Sequence, residues 1–191
     1  MALKTNFVRI LMLAVLTLGA SNAIAQDELR KIFFKNVDVA RAAAEEANAK
    51  LLAPRSYSDG VEDYDAAEVG LKRGRNIEYV RRKTSEAETS FNTANKAARL
   101  AKTALSQVMK SRQDAANAKA PDLSREVWDK AQREFGNAIR YLERNDLKNA
   151  TRKDIEATSL YRDAELIAIK AQYLTETRQL LADADRARVG R

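Results

Sequence analysis

The sequence predicts an all-α protein, an elongated bundle of five helices with coiled-coil-like alanine seams. Proline and glycine are scarce, with 2 prolines and 6 glycines in 191 residues. This favours long helices, because these two residues are the strongest breakers of regular structure. Apolar residues also recur in alternating steps of three and four, which places them on one helix face.

The breaks between the predicted helices follow from proline, glycine and asparagine. Pro54 and Pro121 each follow an alanine, and the residue before a proline is disfavoured in helical conformation. We therefore expect helices to end near Ala53 and Ala120, with each proline in the first turn of the next helix. Two further breaks are expected at 73–76 and 144–146. The five predicted helices are 27–52, 55–72, 77–119, 122–143 and 147–186.

Three of these helices carry a heptad seam, made mostly of alanine. Alanine lets helix axes approach to about 8 Å, and a large side chain within each seam fills the space that alanine leaves. We interpret the seam aromatics as core and not as a ligand site. The sequence leaves open whether the seams close within one chain or in a homo-oligomer. The seams are Phe33, Val37, Ala40, Ala44, Ala47 and Leu51; Ala87, Phe91, Ala94, Ala98, Ala101, Leu105 and Val108; and Ala157, Tyr161, Ala164, Ala168 and Ala171.

An internal repeat of about 70 residues organises the pattern as short helix, turn and long helix, over about 47–118 and 116–186. Ala-Asn-Ala-Lys occurs at 47–50 and at 116–119, each shortly before Ala-Pro. In the short helices, Tyr57, Gly60, Tyr64, Ala67 and Leu71 match Trp128, Ala131, Phe135, Ala138 and Leu142. In the long helices, Arg82, Lys83, Glu86, Ala87, Phe91 and Ala94 match Arg152, Lys153, Glu156, Ala157, Tyr161 and Ala164.

The N-terminus predicts a cleavable signal peptide over residues 1–25. Lys4 and Arg9 precede an apolar run at 10–19, and Ala23 and Ala25 suit cleavage before Gln26. The run of about ten residues is shorter than the roughly 20 that span a membrane, although an uncleaved anchor is the alternative. We expect residues 26–191 to form one helical domain in the periplasm. It should lack a transmembrane span, and it cannot be a lipoprotein because no cysteine is present.

The order Ala-Pro, aromatic residue, alanines at helical spacing, Gly- or Asn-containing turn and alanine-rich helix resembles a known envelope module. This is domain of unknown function 4398, and the resemblance covers about residues 39–171. It implies an exported protein of a Gram-negative bacterium. Members of the family occur alone or ahead of an OmpA-like peptidoglycan-binding domain, and no such domain follows here. The resemblance implies no defined activity.

The composition predicts a protein that is not an enzyme and holds neither a cofactor nor a metal. The chain has no histidine and no cysteine, which removes the commonest bases, metal ligands and reactive thiols. The glycines at 70 and 74 lack phosphate-loop spacing. An acidic run in the second predicted helix reads as a solvated face, with a calcium site as the alternative that lacks EF-hand spacing. The run is Asp59, Glu62, Asp63, Asp65 and Glu68.

Two clusters of basic residues flank the predicted breaks at 73–76 and 144–146, in a chain of net charge +7. Such clusters attract anionic lipid head groups, lipopolysaccharide phosphates or acidic envelope proteins. Nucleic acid is disfavoured by the predicted compartment, and ordinary solvated helix ends are the alternative. The first basic tip comprises Lys72, Arg73, Arg75, Arg81, Arg82 and Lys83, and the second comprises Arg140, Arg144, Lys148, Arg152 and Lys153.

Taken together, these features predict a non-catalytic scaffold or adaptor of the cell envelope. The alternative is a periplasmic holdase chaperone that grips unfolded outer-membrane proteins between its long helices.

Overall fold

The computed structural model describes residues 27–189 and confirms the all-α fold class. Helices account for 91% of these residues, and no strand occurs among them. The predicted signal peptide lies outside the described residues. No helix between residues 27 and 189 combines the length and the apolar character that crossing a membrane would require. The helices are α1 (27–46), α2 (Ala49–Leu52), α3 (Pro54–Lys72), α4 (Ile77–Ala104), α5 (Ser106–Asn117), α6 (Ala120–Leu123), α7 (Arg125–Glu143) and α8 (Leu147–Val189).

The described chain divides into two units, and the boundary between Lys96 and Ala97 falls within α4. Unit 1 contains α1, α2, α3 and the first part of α4. Unit 2 contains the rest of α4 and the helices α5 to α8. In unit 2, α8 packs along α7 and α5.

The core of unit 1 contains most of the predicted seam residues of its two long helices. Most of the α1 seam and the α4 positions Ala87, Phe91 and Ala94 are buried. The prediction was wrong by one residue at each end of the first seam. Phe34, not Phe33, is fully buried, because its ring packs edge to face against Tyr64 at 5.3 Å between centroids. Leu52 is buried in place of Leu51, because the helix is interrupted after residue 46 and its phase changes.

The core of unit 2 follows its predicted seams closely. Every predicted seam residue from Ala98 to Val108 and from Ala157 to Ala168 is buried, and Ala171 is partly exposed. Trp128 and Phe135 of α7 complete this core. The aromatic seam residues Phe91 and Tyr161 are therefore packing residues, as predicted.

Short interruptions divide three of the five predicted helices. Asn48 and Lys119 adopt left-handed backbone conformations, with φ of 59° and 62°. One helical turn follows each of them, and then a non-helical residue, Ala53 or Ser124. Pro54 begins α3 as predicted, whereas Pro121 lies inside α6 and the long helix α7 starts only at Arg125.

The third interruption divides the predicted helix 77–119 at Leu105. Leu105 has φ −105° and ψ 20°, outside the helical range. Backbone hydrogen bonds nevertheless continue across it, from the Leu105 N–H to the Ala101 carbonyl at 2.8 Å and from the Met109 N–H to the Leu105 carbonyl at 3.1 Å. The interruption is therefore a local bend.

Candidate anion-binding site at two basic tips

The first basic tip is built on the turn between α3 and α4. Gly74 has φ +64°, a left-handed conformation that glycine adopts without steric cost. The Gly74 N–H donates to the Leu71 carbonyl at 3.1 Å and the Arg75 N–H to the Gly70 carbonyl at 2.9 Å, which is the Schellman pattern of helix ends. The Asn76 side chain then caps α4 by accepting from the Tyr79 N–H at 2.8 Å.

The second basic tip uses the same turn with different residues. Asn145 takes the left-handed position with φ 58°, and the Asp146 N–H donates to the Tyr141 carbonyl at 2.9 Å. Asp146 caps α8 by accepting from the Asn149 N–H at 3.2 Å and the Asn149 side chain at 2.7 Å. These two hydrogen bonds lower the pKa of Asp146. Its ionised carboxylate therefore reduces the positive charge of this tip.

Tyr79 positions two arginines of the first basic tip. The Arg75 and Arg82 guanidinium carbons lie 4.6 Å and 5.5 Å from the centre of its ring, within cation–π range. The ring also rests against the α3 backbone at Gly70, where an added Cβ would approach it to 2.8 Å. Sequence reasoning missed this tyrosine. The available signal was its spacing, four residues after Arg75 and three before Arg82.

The exposed basic residues of the first tip are only weakly paired. Lys72 lies 3.5 Å from Glu68, Arg81 3.8 Å from Glu78, and Arg82 3.0 Å from Glu86. Such surface ion pairs contribute about 0–1 kcal/mol and exchange readily with solvent or ligand. No acidic side chain among residues 27–189 lies within ion-pairing distance of Arg73 or Arg75.

The second basic tip presents four exposed cations. Arg140 hydrogen-bonds the Asn137 side chain, and Arg152 donates to the Asn149 side-chain oxygen at 3.2 Å. Within the described part of the chain, none of these four cations forms an ion pair. They are Arg140, Arg144, Lys148 and Arg152.

Lys83 and Lys153 differ from the other predicted site residues because both are committed to ion pairs between helices. The Lys83 ammonium lies 2.6 Å from the Asp63 carboxylate, and the Lys153 ammonium lies 2.6 Å from the Glu134 carboxylate. The side chains of the two lysines are only 22% and 15% exposed. Hydrogen bonding to these carboxylates raises the pKa of each lysine. We therefore leave both out of the candidate site.

Two of the five residues of the acidic run on α3 form ion pairs, and the other three are exposed. Asp63 contacts Lys83, and Glu68 lies 3.5 Å from both Arg30 and Lys72. Between residues 27 and 189, no three acidic side chains converge in a way that could hold a metal ion. Part of the run thus forms intramolecular ion pairs, and the rest lies on an exposed face.

The sequence matches no family model and no curated protein, and the structure matches no solved structure. The resemblance to domain of unknown function 4398 therefore stays a prediction. The function must be argued from the residues themselves.

Proposed function

We propose that the protein is exported to the periplasm of a Gram-negative bacterium and acts there as a non-catalytic scaffold or adaptor. Its basic tips bind anionic groups of the cell envelope. The observation that carries this proposal is the concentration of exposed arginines and lysines at two turns, beside cores that are closed by alanine and aromatic side chains.

We also propose that the chain contains two copies of one repeat, over about 47–118 and 116–186, within a bundle of five helices. The backbone supports this at three positions. Two left-handed residues, Asn48 and Gly74, and the non-helical Ala53 each have a counterpart in unit 2, always the same number of residues further along the chain. These counterparts are Lys119, Asn145 and Ser124. On this view, the interruptions within the long helices are features of the repeat.

Arginine suits phosphate binding because its planar guanidinium can donate two parallel hydrogen bonds to phosphate oxygens. Each basic residue near an anionic surface contributes about 1 kcal/mol, so one contact is weak and several together give useful affinity. The first basic tip has four arginines and the second has three. Phosphates of lipid head groups and of lipopolysaccharide are the ligands that this chemistry favours.

Co-sedimentation with phosphatidylglycerol vesicles, and binding to purified lipopolysaccharide, test this proposal. The first-tip variant is Arg73→Glu with Arg75→Glu, and the second-tip variant is Arg144→Glu with Lys148→Glu. Lys50→Glu with Arg125→Glu makes the same charge change as a control, because these exposed residues lie near the ends of α3 and α7 that are opposite the two tips. We expect each tip variant to weaken binding at least tenfold and the control to change it little.

Salt gives a second readout, because charges in 0.1 M salt are screened over about 10 Å. Binding should therefore fall steeply as ionic strength rises. Binding that resists both salt and the tip variants would contradict the proposal. So would the absence of binding to vesicles, to lipopolysaccharide and to any partner recovered by crosslinking in cells.

The holdase alternative requires apolar surfaces between the long helices that can open for a client. The seams are instead buried within each unit, which supports the scaffold. The holdase would be favoured if the protein suppressed aggregation of an unfolded porin at a stoichiometric ratio and the two tip variants did so equally well.

A further inference from the structure

The C-terminal half of α8 carries an exposed apolar face with heptad periodicity. Pairs of adjacent apolar residues recur every seven positions, and each of the six side chains is 42–70% exposed. A strict seven-residue repeat of this kind is the pattern of helices that coil around a partner. The three pairs are Leu166 with Ile167, Tyr173 with Leu174, and Leu180 with Leu181.

This face is distinct from the seam that α8 buries inside unit 2. The intramolecular packing ends near Gln172, whose side-chain nitrogen donates to the Ala118 carbonyl at 2.7 Å. All residues from 173 to 188 are exposed. Continuing the seam in steps of four and three reaches Thr175, Arg178, Ala182 and Asp185, of which only Ala182 is apolar. The bundle therefore does not continue along the seam, and the apolar residues of this segment point elsewhere.

The first of the three pairs also borders a groove. Leu166 and Ile167 lie beside Val127 and Leu160 along a groove of about 430 Å³ between α7 and α8. Charged residues of both signs rim this groove, among them Lys130 and Asp163. The exposed apolar surface thus runs from the flank of unit 2 along the projecting part of α8.

The spacing of the pairs is symmetric about the central pair, which points to a second copy of the same chain. In an antiparallel arrangement about a two-fold axis near residues 173 and 174, the first pair of one copy contacts the third pair of the second copy. Leu180 then lies against Ile167 of the second copy, and Tyr173 lies against its Leu174. Such a self-complementary contact is the usual geometry of a two-fold dimer.

The charges favour this antiparallel arrangement over a parallel one. Lys170 lies in the middle of the apolar face, between the first two pairs. In a parallel dimer it would face Lys170 of the second copy, which is unfavourable for like charges. In the antiparallel dimer it faces Thr177, which is neutral.

A membrane surface fits this face less well. Residues 173–188 contain three acidic and three basic side chains, so the segment has no net charge. Helices that lie on anionic membranes typically have Lys- and Arg-rich polar faces. A specific protein interface needs at least about 600 Å² per partner, and six side chains of this size and exposure offer area of that order.

We propose that α8 mediates an antiparallel homodimer through Leu166, Ile167, Tyr173, Leu174, Leu180 and Leu181. The dimer is independent of the basic tips. Sedimentation equilibrium of the purified full chain should show a concentration-dependent dimer. Leu174→Asp with Leu181→Asp should make it monomeric, whereas Thr175→Asp with Ala182→Asp, on the polar side of the same exposed segment, should leave it dimeric.

Cysteine crosslinking tests the orientation, because the chain has no cysteine of its own. Tyr173→Cys should crosslink to itself with a short thiol reagent. Leu180→Cys alone should not, since two equivalent positions would lie about 20 Å apart at 1.5 Å per residue. Mixing Leu180→Cys with Ile167→Cys should restore crosslinking.

Three outcomes would overturn the proposal. A chain that stays monomeric up to high concentration has no such interface. Efficient self-crosslinking of Leu180→Cys would require a parallel pair. A monomer that suppresses porin aggregation, and loses this activity in the Leu174→Asp, Leu181→Asp variant, would assign the face to unfolded clients.

Discussion

Units 1 and 2 place three aromatic rings in nearly the same geometry but put the hydroxyl groups on different helices. In each unit a ring of the long helix packs edge to face against two rings of the short helix. The centroid distances are 5.5 and 6.4 Å in unit 1 and 5.2 and 6.4 Å in unit 2. The rings are Phe91 with Tyr57 and Tyr64 in unit 1, and Tyr161 with Trp128 and Phe135 in unit 2.

The polar partners differ together with the hydroxyl groups. In unit 1, the Tyr64 hydroxyl donates to the Asp38 carboxylate at 2.8 Å and accepts from Arg30 at 2.7 Å. In unit 2, the Tyr161 hydroxyl donates to the Gln132 side-chain oxygen at 2.6 Å, which also accepts from Arg112 at 3.1 Å. The comparison shows that this packing accepts a hydroxyl on either helix, provided that the buried oxygen has a partner.

The largest expected effect comes from removing the central ring of either cluster. Phe91→Ala and Tyr161→Ala should each lower the free energy of unfolding by about 3–5 kcal/mol, because each leaves a cavity under several packed side chains. Urea denaturation followed by circular dichroism measures this loss. Equal losses would support equivalent roles in the two units.

Leu100→Ala, at an exposed position of α4, is the matched control and should change stability by less than about 0.5 kcal/mol. If one ring substitution costs little, its cluster can collapse and the two cores are not equivalent.

Alkaline pH should lower the stability of both units, because each contains a buried tyrosine hydroxyl group. Burial and the hydrogen bond to Asp38 raise the pKa of Tyr64 to about 12, and burial raises the pKa of Tyr161 to about 12. Between pH 10 and 12, the folded protein therefore keeps protons that the unfolded chain releases. The contribution of each protonated tyrosine to the free energy of unfolding is fully present below pH 10. It is lost as pH rises toward 12, by on the order of 2–3 kcal/mol for each tyrosine.

Ultraviolet titration of tyrosinate, together with unfolding measured at each pH, checks this expectation. Tyr64→Phe and Tyr161→Phe should each remove part of the alkaline loss. Asp38→Asn should lower the pKa of Tyr64 and leave that of Tyr161 unchanged, since only Tyr64 contacts this carboxylate. A pKa of Tyr64 that stays the same in Asp38→Asn would contradict the role of this hydrogen bond and leave burial as the cause.

A smaller effect is expected where the units differ in the residue beneath the central ring. An added Cβ at Gly60 would approach the Phe91 ring to 2.8 Å, whereas the matching residue in unit 2 is Ala131. Gly60→Ala should cost about 1–3 kcal/mol through overpacking. The reverse change, Ala131→Gly, should cost about 0.5–1 kcal/mol through backbone entropy alone. A stabilising Gly60→Ala would mean that the ring can shift to the unit 2 position.

Much of this comparison could be predicted from the sequence, because helical periodicity depends on near neighbours. The alanine seams, the turns at Gly74 and Asn145, and the matched aromatic residues all followed from spacing. The choice between Phe33 and Phe34 could not be predicted, since both are apolar and the contact with Tyr64 decides it.

At the candidate site too, contacts between helices could not be predicted from the sequence. The sequence located the exposed basic residues at both turns, but it could not show which of them were already paired. Lys83 and Lys153 each pair with a carboxylate on the preceding short helix, Asp63 on α3 and Glu134 on α7. Only tertiary packing brings these groups together.

The register of the repeat also differs between the sequence and the backbone. The shared Ala-Asn-Ala-Lys segments align Asn48 with Asn117, but the left-handed residue in unit 2 is Lys119 and not Asn117. The sequence match and the backbone match therefore differ in register. A lysine occupies a conformation for which asparagine is better suited.

The smallest predicted effect follows from this register shift. Lys119→Asn should stabilise the protein by about 0.5–1 kcal/mol, a part of the roughly 1–2 kcal/mol that a left-handed conformation costs an ordinary residue. Asn48→Lys should destabilise it by a similar amount, because the two backbones are nearly identical (φ 59° and ψ 37°, against φ 62° and ψ 30°). Lys110→Asn, at an exposed position inside α5, is the control and should cost a few tenths of a kcal/mol through helix propensity. Urea denaturation of the three variants separates the cost of the left-handed conformation from the effect of helix propensity. If Lys119→Asn loses stability as Lys110→Asn does, the left-handed conformation at Lys119 carries no penalty, and the two interruptions are not energetically alike.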